Sequence, residues 1–329
     1  MAPVRVSAIV PARDAAATIG RTLAALAAQE IGAPYEVIVV DDGSTDDTVA
    51  IAERAGGRVI RGPGAGPGDA RNLGVAEAAG ELLAFTDADC MPAPGWLAAG
   101  VAALSEADLV QGAVEPEPGV EMGPFDRSLW VRSESGLYES ANLLVRRELF
   151  ERLGGFEEWI EPVAGKSIGE DTWFGWRARR AGARTAFEPR ALVHHAVLPR
   201  GPAGYVGERR RLEHFPELVE RVPELRDTLL WRRRFLSARS AAFDAALAGA
   251  ALAAGGALAA APALGATRMR RAPRALALAL TLPYAVTIAR RSLQSGRRAP
   301  LVAAVEVAAD AAGLAALARG SLRHRTLVL

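Results

Sequence analysis

What most restricts the fold of this chain is an alternation of two periods. Short β-rich runs, Arg5–Val10 (RVSAIV), Tyr35–Val40 (YEVIVV), Arg58–Arg61 and Glu81–Thr86, alternate with helically spaced segments over Thr18–Gln29, Asp46–Ala55 and Asp69–Ala79. A β-α-β-α-β order predicts a mostly parallel sheet with helices on both faces. The pattern continues with a helix over Trp96–Leu104 and strands over Asp108–Val114 and Ser140–Val145. Two more helices follow, Arg147–Leu153 stopped by Gly154-Gly155 and Asp171–Ala181 closed by Gly182, then short β segments at Thr185–Phe187 and Ala191–Val193. Ligands on such sheets bind beyond the carboxyl ends of the strands. Two acidic clusters fall there: Asp41-Asp42 after YEVIVV, and Asp87-Ala88-Asp89 after ELLAFT.

Two carboxylates one residue apart at a strand end repel each other unless something between them is cationic. A Mg²⁺ or Mn²⁺ ion, which bridges carboxylates and substrate phosphates, resolves the repulsion; a solvated aspartate turn is the simpler alternative. The one cysteine, Cys90, follows the pair. Adjacent negative charge disfavours a thiolate, so it reads as a packed small residue rather than a nucleophile. A single cysteine excludes an internal disulfide and fits a reducing compartment. A net charge of +1 without an aromatic-basic platform argues against a nucleic-acid binder. The N-terminal MAPVRVSAIVPARD lacks the apolar core of a secretory signal.

Five separated blocks, AIVPARDAAATIGRTLAAL, VIVVDDGSTDDT, ARNLGVAEAAGELLAFTDADC, ANLLVRRELFERLGGFEE and GEDTWFGWRARRAGART, occur in an order that resembles the family 2 glycosyltransferases of GT-A fold. The resemblance runs from about Val4 to Val193. It implies inverting transfer of one sugar from a nucleoside-diphosphate sugar (UDP, GDP or dTDP) to a hydroxyl acceptor. It also implies residue roles. Pro11, Ala12 and Arg13 line the nucleotide site, with Asp42, flanked by Asp41, reading the base. Arg71 contacts the nucleotide or its diphosphate. Asp87 and Asp89 are the metal pair, with Asp89 the more direct ligand of Mg²⁺ or Mn²⁺. Asp171 is the general base, supported by Glu170. Asn142 lies near the donor sugar or acceptor. Of the two histidines ending the last β segment, His194 is preferred over His195 as a further metal ligand. The residue types suit this chemistry independently. A hydroxyl nucleophile needs a carboxylate to take its proton, and a leaving diphosphate needs cationic stabilisation. For Asp171, Asp41 and Asp46 taken singly, a helix N-terminal or capping role explains the acid equally well. No QxxRW motif of processive synthases is present, which favours single-sugar transfer.

Composition changes after residue 225. Ala245–Thr267 and Ala275–Ala289 carry no charge, and arginines flank both: Arg232, Arg233, Arg234 and Arg239 before, Arg268, Arg270, Arg271 and Arg274 between, Arg290 and Arg291 after. The first run is long enough to span a bilayer but consists mainly of Ala and Gly. Pro283 marks a kink or re-entrant turn in the second. Leu301–Ala318 carries Glu306 and Asp310 on one helical face and reads as amphipathic. Arginines on both sides suit a hairpin or surface-lying segment at an anionic membrane better than a single span. The expected organisation is a GT-A catalytic domain over 1–225 and a helical, membrane-associated region over 226–329, with the catalytic domain cytoplasmic and a lipid-linked acceptor compatible. A soluble helical bundle is the competing reading of the tail. For the whole chain, the competing functions are a nucleotidyltransferase of nucleotide-sugar synthesis and a non-catalytic GT-A-like binding protein.

Overall fold

The computed structural model describes residues 5–160, 169–258 and 271–329. Val4, the loop before Gly169, residues 259–267 of the first apolar run, Arg268 and Arg270 lie outside the described residues. The chain forms two compact units, Met1–Pro199 and Arg200–Leu329. This division comes earlier than the change in composition. Segments Glu208–His214 and Phe215–Arg221 pack on the long helix Ala299–His324, with Arg319 Nε donating to Glu213 at 3.1 Å and His324 lying 3.7 Å from Glu217.

In the first unit eight strands form one sheet: β1 (Val6–Ala12), β2 (Tyr35–Asp41), β3 (Arg58–Arg61), β4 (Leu82–Thr86), β5 (Cys90–Pro92), β6 (Leu109–Pro116), β7 (Asn142–Arg146) and β8 (Thr185–His195). Their order is β3-β2-β1-β4-β7-β6-β8-β5. Strands β3, β2, β1 and β4 are mutually parallel, as the crossover helices require. β7 is antiparallel to both its neighbours, β4 and β6. No regular helix joins β6 to β7, so nothing carries the chain back for a parallel return. Every residue of β1 and of β4 is buried, as expected for central strands covered on both faces.

The helices that carry site residues are fixed by close packing. Helix Ile19–Ala27 turns Ile19, Thr22, Leu23 and Leu26 inward, and the Thr22 hydroxyl donates to Ala88 O at 2.9 Å, pinning the Asp87–Asp89 loop. Helix Pro67–Ala76 lies so near the sheet that a Cβ on Gly74 would stand 2.5 Å from Ile9 Cγ2. Helix Glu170–Arg180 is anchored through Phe174, which stacks on Phe150 and Phe156 with ring centroids 5.2 and 5.0 Å away. Two short β segments expected near the end of the unit are one strand, β8, with an irregularity where its pairing with β6 skips between Gly112 and Ala113.

In the second unit, helix Arg271–Leu293 runs on through Pro283. Glu306 and Asp310 point into the bundle: Arg239 donates to Glu306 at 2.5 Å and to Asp310 at 2.7 Å, and the Tyr284 hydroxyl donates to Asp310 at 2.7 Å. The acidic stripe of the last helix is therefore its inward face, the reverse of an amphipathic helix with acids toward water. Among the described residues, Gly296–His324 is the segment long and apolar enough to cross a membrane.

Candidate active site

Three groups of side chains meet at the carboxyl ends of β1, β2 and β4. The first lies where β1 and β2 end. Pro11 and Ala12 are buried and Arg13 is exposed. The Asp42 N–H donates to Ala12 O at 2.8 Å, continuing the β1–β2 pairing. The loops beyond are laced together: Asp14 accepts the Thr45 N–H at 2.7 Å and Asp46 accepts the Ala16 N–H at 3.0 Å. Asp41 accepts the Ser44 N–H at 3.2 Å and is turned to structural use. Asp42 Oδ2 accepts the Gly66 N–H at 3.1 Å, whereas its buried Oδ1 has no protein partner among the described residues. Burial raises the Asp42 carboxyl above its usual value, against the pull of Gly66 and Arg13. A buried acceptor left half-satisfied is a ready partner for an incoming N–H.

The second group is organised by Arg71. Its guanidinium is 4 % exposed, donates to Asp87 at 2.7 Å and lies 3.5 Å from Glu170. Burial works against the charge, but Asp87 and Glu170 outweigh it and hold Arg71 protonated. Asp87 is therefore bound by an arginine, while Asp89 faces a different neighbour. His195 Nε2 stands 3.5 Å from Asp89 Oδ2, and its Nδ1 lies 2.7 Å from Ala196 O. A carbonyl at Nδ1 places the ring proton there and leaves the Nε2 lone pair facing a carboxylate. That contact is repulsive unless a proton or a cation lies between the two, so the donor set fits a divalent ion. Asp89, Cys90 and His195 offer ligand atoms all within 4.8 Å of one another. Cys90 is fully buried, and burial with Asp87 and Asp89 pushes its thiol well above the ordinary value, so it packs as a thiol. His195 reaches the site because β5 pairs antiparallel with β8, setting Cys90 opposite His195. His194, expected as the ligand, precedes His195 on the strand and pairs with Met91; it is not among the three residues whose ligand atoms converge with Asp89.

The third group sits at the start of helix Glu170–Arg180. Asp171 accepts the N–H groups of Ser140 at 3.2 Å and Thr172 at 2.7 Å. Burial, with Glu139 facing it, pushes the Asp171 carboxyl up to about 6, while Arg71 pulls the other way. Burial and Asp171 likewise raise Glu170. Glu139 was not singled out in the sequence. It precedes Ser140, its buried Oε2 has no protein hydrogen-bond partner among the described residues, and burial raises it too. Its only sequence signal is an acid in an otherwise uncharged GLYES stretch.

Asn142, which the family resemblance puts near the donor sugar or acceptor, lies in the interior of the sheet. It is fully buried, with Nδ2 donating to Ala113 O and Ala191 O at 2.7 Å each, while Oδ1 accepts the Trp96 indole N–H at 2.8 Å. Every amide hydrogen-bonding group is engaged with protein. A Cβ on Gly112 would stand 2.3 Å from its Nδ2, so the glycine and the asparagine together form the irregularity between β6 and β8.

The sequence matches the model for "Glycosyl transferase family 2" over residues 7–154. It is 32 % identical over 213 residues to the glycosyltransferase AglE of Haloferax volcanii, covering 60 % of this chain and 68 % of that one. It is 30 % identical over 212 residues to the pre-mycofactocin glycosyltransferase of Mycobacterium tuberculosis, covering 58 % of this chain and 42 % of that relative, less than half its length. In fold it is similar to the mannosyltransferase PcManGT from Pyrobaculum calidifontis, solved with GDP-Man and Mn2+. The TM-score is 0.58 at 24 % identity, over 95 % of this chain and 89 % of that one. It is similar also to S. aureus TarS 1-349 with UDP-GlcNAc, at TM-score 0.51 and 20 % identity over 98 % and 93 %. With a GT-A sheet and this kinship, the chain belongs to the family 2 glycosyltransferases.

Proposed function

We propose that the protein is a metal-dependent, inverting transferase that moves one sugar from a nucleoside-diphosphate donor to a hydroxyl acceptor. The observation that supports this reading is the division of its carboxylates. Asp42 has one buried oxygen without a protein partner among the described residues, Asp89 stands 3.5 Å from His195 Nε2, and the Asp171 carboxyl is raised to about 6. The base would be read by Asp42 Oδ1, between Pro11-Ala12-Arg13 and Asp41. Arg71 would hold Asp87 in place and present positive charge toward the diphosphate. Asp89 and His195, with Asp87 beside them, would hold Mg²⁺ or Mn²⁺, which would supply neutralisation of the leaving diphosphate. Asp171 takes the proton of the acceptor hydroxyl as its oxygen bonds the anomeric carbon. The bond from that carbon to the diphosphate oxygen breaks on the opposite face, which inverts the centre. Glu170, locked to Arg71, keeps the acceptor carboxylates and the diphosphate side in register.

The same reading puts catalysis in the first unit, Met1–Pro199, on the cytoplasmic side of the cell membrane where nucleotide sugars are made, and membrane association in the helical second unit, Arg200–Leu329. The acceptor is a hydroxyl of a lipid-linked or envelope-glycan precursor. A panel of UDP-, GDP- and dTDP-sugars with Mn²⁺, followed by release of nucleoside diphosphate and by the anomeric configuration of the product, tests it. Inverted product from one donor class, abolished by chelation, is the expected result. Retained configuration, or equal turnover in EDTA, would overturn the mechanism.

A further inference from the structure

We propose that helix Arg271–Leu293 docks the protein onto an anionic phospholipid surface by lying in the plane of the interface. This rests on the membrane association proposed above and specifies the surface that makes it. The helix has two unlike sides. Ala277, Tyr284 and Ile288 are buried, and Tyr284 and Ile288 pack with Phe243. On the outer side Leu278, Leu282 and Val286 recur every fourth residue, with Leu278 63 % and Leu282 53 % exposed. Leu293 continues this stripe, and Leu276 is exposed on a neighbouring face. Such a leucine stripe in water is unfavourable at about 25 cal/mol per Å², and its continuity over the helix marks a surface that is covered in use.

Charge selects the occupant. Arg274 is exposed at one end of the stripe, and Arg290, Arg297 and Arg298 are exposed at the other, whereas Arg291 is held by Glu306 at 3.2 Å. No acid occurs between Arg271 and Arg298. Leucines flanked by arginines match an acyl layer beneath anionic headgroups. Geometry selects the orientation. The uncharged part, Ala275–Ala289, rises about 22 Å at roughly 1.5 Å per residue, short of the ~30 Å hydrocarbon layer. Cations at both ends would then meet the same leaflet if the helix lay flat. Helix Ala299–His324 meets the length for a span, but its flank is occupied by the charged segments Glu208–His214 and Phe215–Arg221, through contacts such as Arg319–Glu213.

The test is co-sedimentation of the whole protein with vesicles of phosphatidylcholine alone or with 30 % phosphatidylglycerol. Parent protein, a Leu278→Glu/Leu282→Glu variant and an Arg290→Gln/Arg297→Gln variant are compared, each checked by circular dichroism. Carbonate extraction and thermal stabilisation by nucleoside diphosphates are run on the same samples. Expected are binding to the anionic vesicles only, release by carbonate or high salt, and at least tenfold weaker partitioning for both variants. A nitroxide at Leu282→Cys should report shallow immersion. Resistance to carbonate would establish a span, and binding equal on both vesicle types would remove the headgroup contact. Self-association without vesicles would make a second copy the occupant. Each of these overturns the proposal. Unchanged nucleotide stabilisation in the glutamate variant keeps a failure here separate from a failure of the transferase reading.

Discussion

Replacing Asn142 with alanine separates a structural asparagine from a ligand contact. The side chain satisfies three buried groups, the carbonyls of Ala113 and Ala191 and the Trp96 indole N–H. Each orphaned buried group costs about 1–3 kcal/mol, and partial relaxation of the strand irregularity keeps the total near the lower end, about 3–5 kcal/mol. That is a large share of a typical margin of ~5–15 kcal/mol. Trp96→Phe removes one of the three bonds and is expected to cost about 1–2 kcal/mol. Urea unfolding of parent, both single variants and the double variant gives the costs and their coupling. The double variant should lose less than the sum of the two, because the shared bond is removed once. Nucleoside-diphosphate affinity, measured well below the unfolding midpoint, should stay within a factor of two or so of the parent. Stability within ~0.5 kcal/mol of the parent, accompanied by a tenfold loss of nucleotide affinity, would place Asn142 at the donor site instead.

Other outcomes follow from the charged groups of both units. Asp171→Asn should lower turnover by ~10²–10⁴ while leaving nucleotide affinity intact, read by calorimetry beside single-turnover kinetics; a matching loss of affinity would contradict a base role. With Asp171 pushed up to about 6, the acid limb of turnover against pH should fall near that value, and Glu139→Gln should move it toward the ordinary aspartate value. The native state then holds a proton that the unfolded chain releases at lower pH, so Asp171 lowers stability as pH rises through this window; Asp171→Asn should flatten that slope in urea titrations. In the helical unit, Arg239→Met leaves Asp310 with the Tyr284 hydroxyl alone and Glu306 with Arg291 and the Tyr205 hydroxyl, and should cost roughly 3 kcal/mol at neutral pH, against under ~1 kcal/mol for an exposed arginine such as Arg290.

The parallel half of the sheet was legible because helix and strand periods differ and because acids gather at strand ends. What stayed hidden depended on pairings distant in sequence. β5 is three residues, Cys-Met-Pro, too short for a period and ending in a residue that strands disfavour. Its register with β8 decides whether His194 or His195 faces Asp89, and a slip of one residue would exchange them. The buried role of Asn142 depends on the space left by Gly112 and on a carbonyl of β8, neither of which its neighbours in ANLLV reveal. In the tail, the spacing of Glu306 and Asp310 showed that they share a helix face. It did not show that the face points inward, because Arg239, which fixes this, lies far away in the chain.

A divalent ion held by Asp89 and His195 at the donor diphosphate is what the proposed transfer depends on. Calorimetric titration of UDP and of GDP into the purified protein, with Mn²⁺ or with EDTA, probes it in parent, Asp89→Asn, His195→Ala and His194→Ala. Binding of one nucleotide is expected to require Mn²⁺, to be at least tenfold weaker in Asp89→Asn and His195→Ala, and to be retained in His194→Ala. Equal affinity in EDTA, or loss in His194→Ala with retention in His195→Ala, would contradict it.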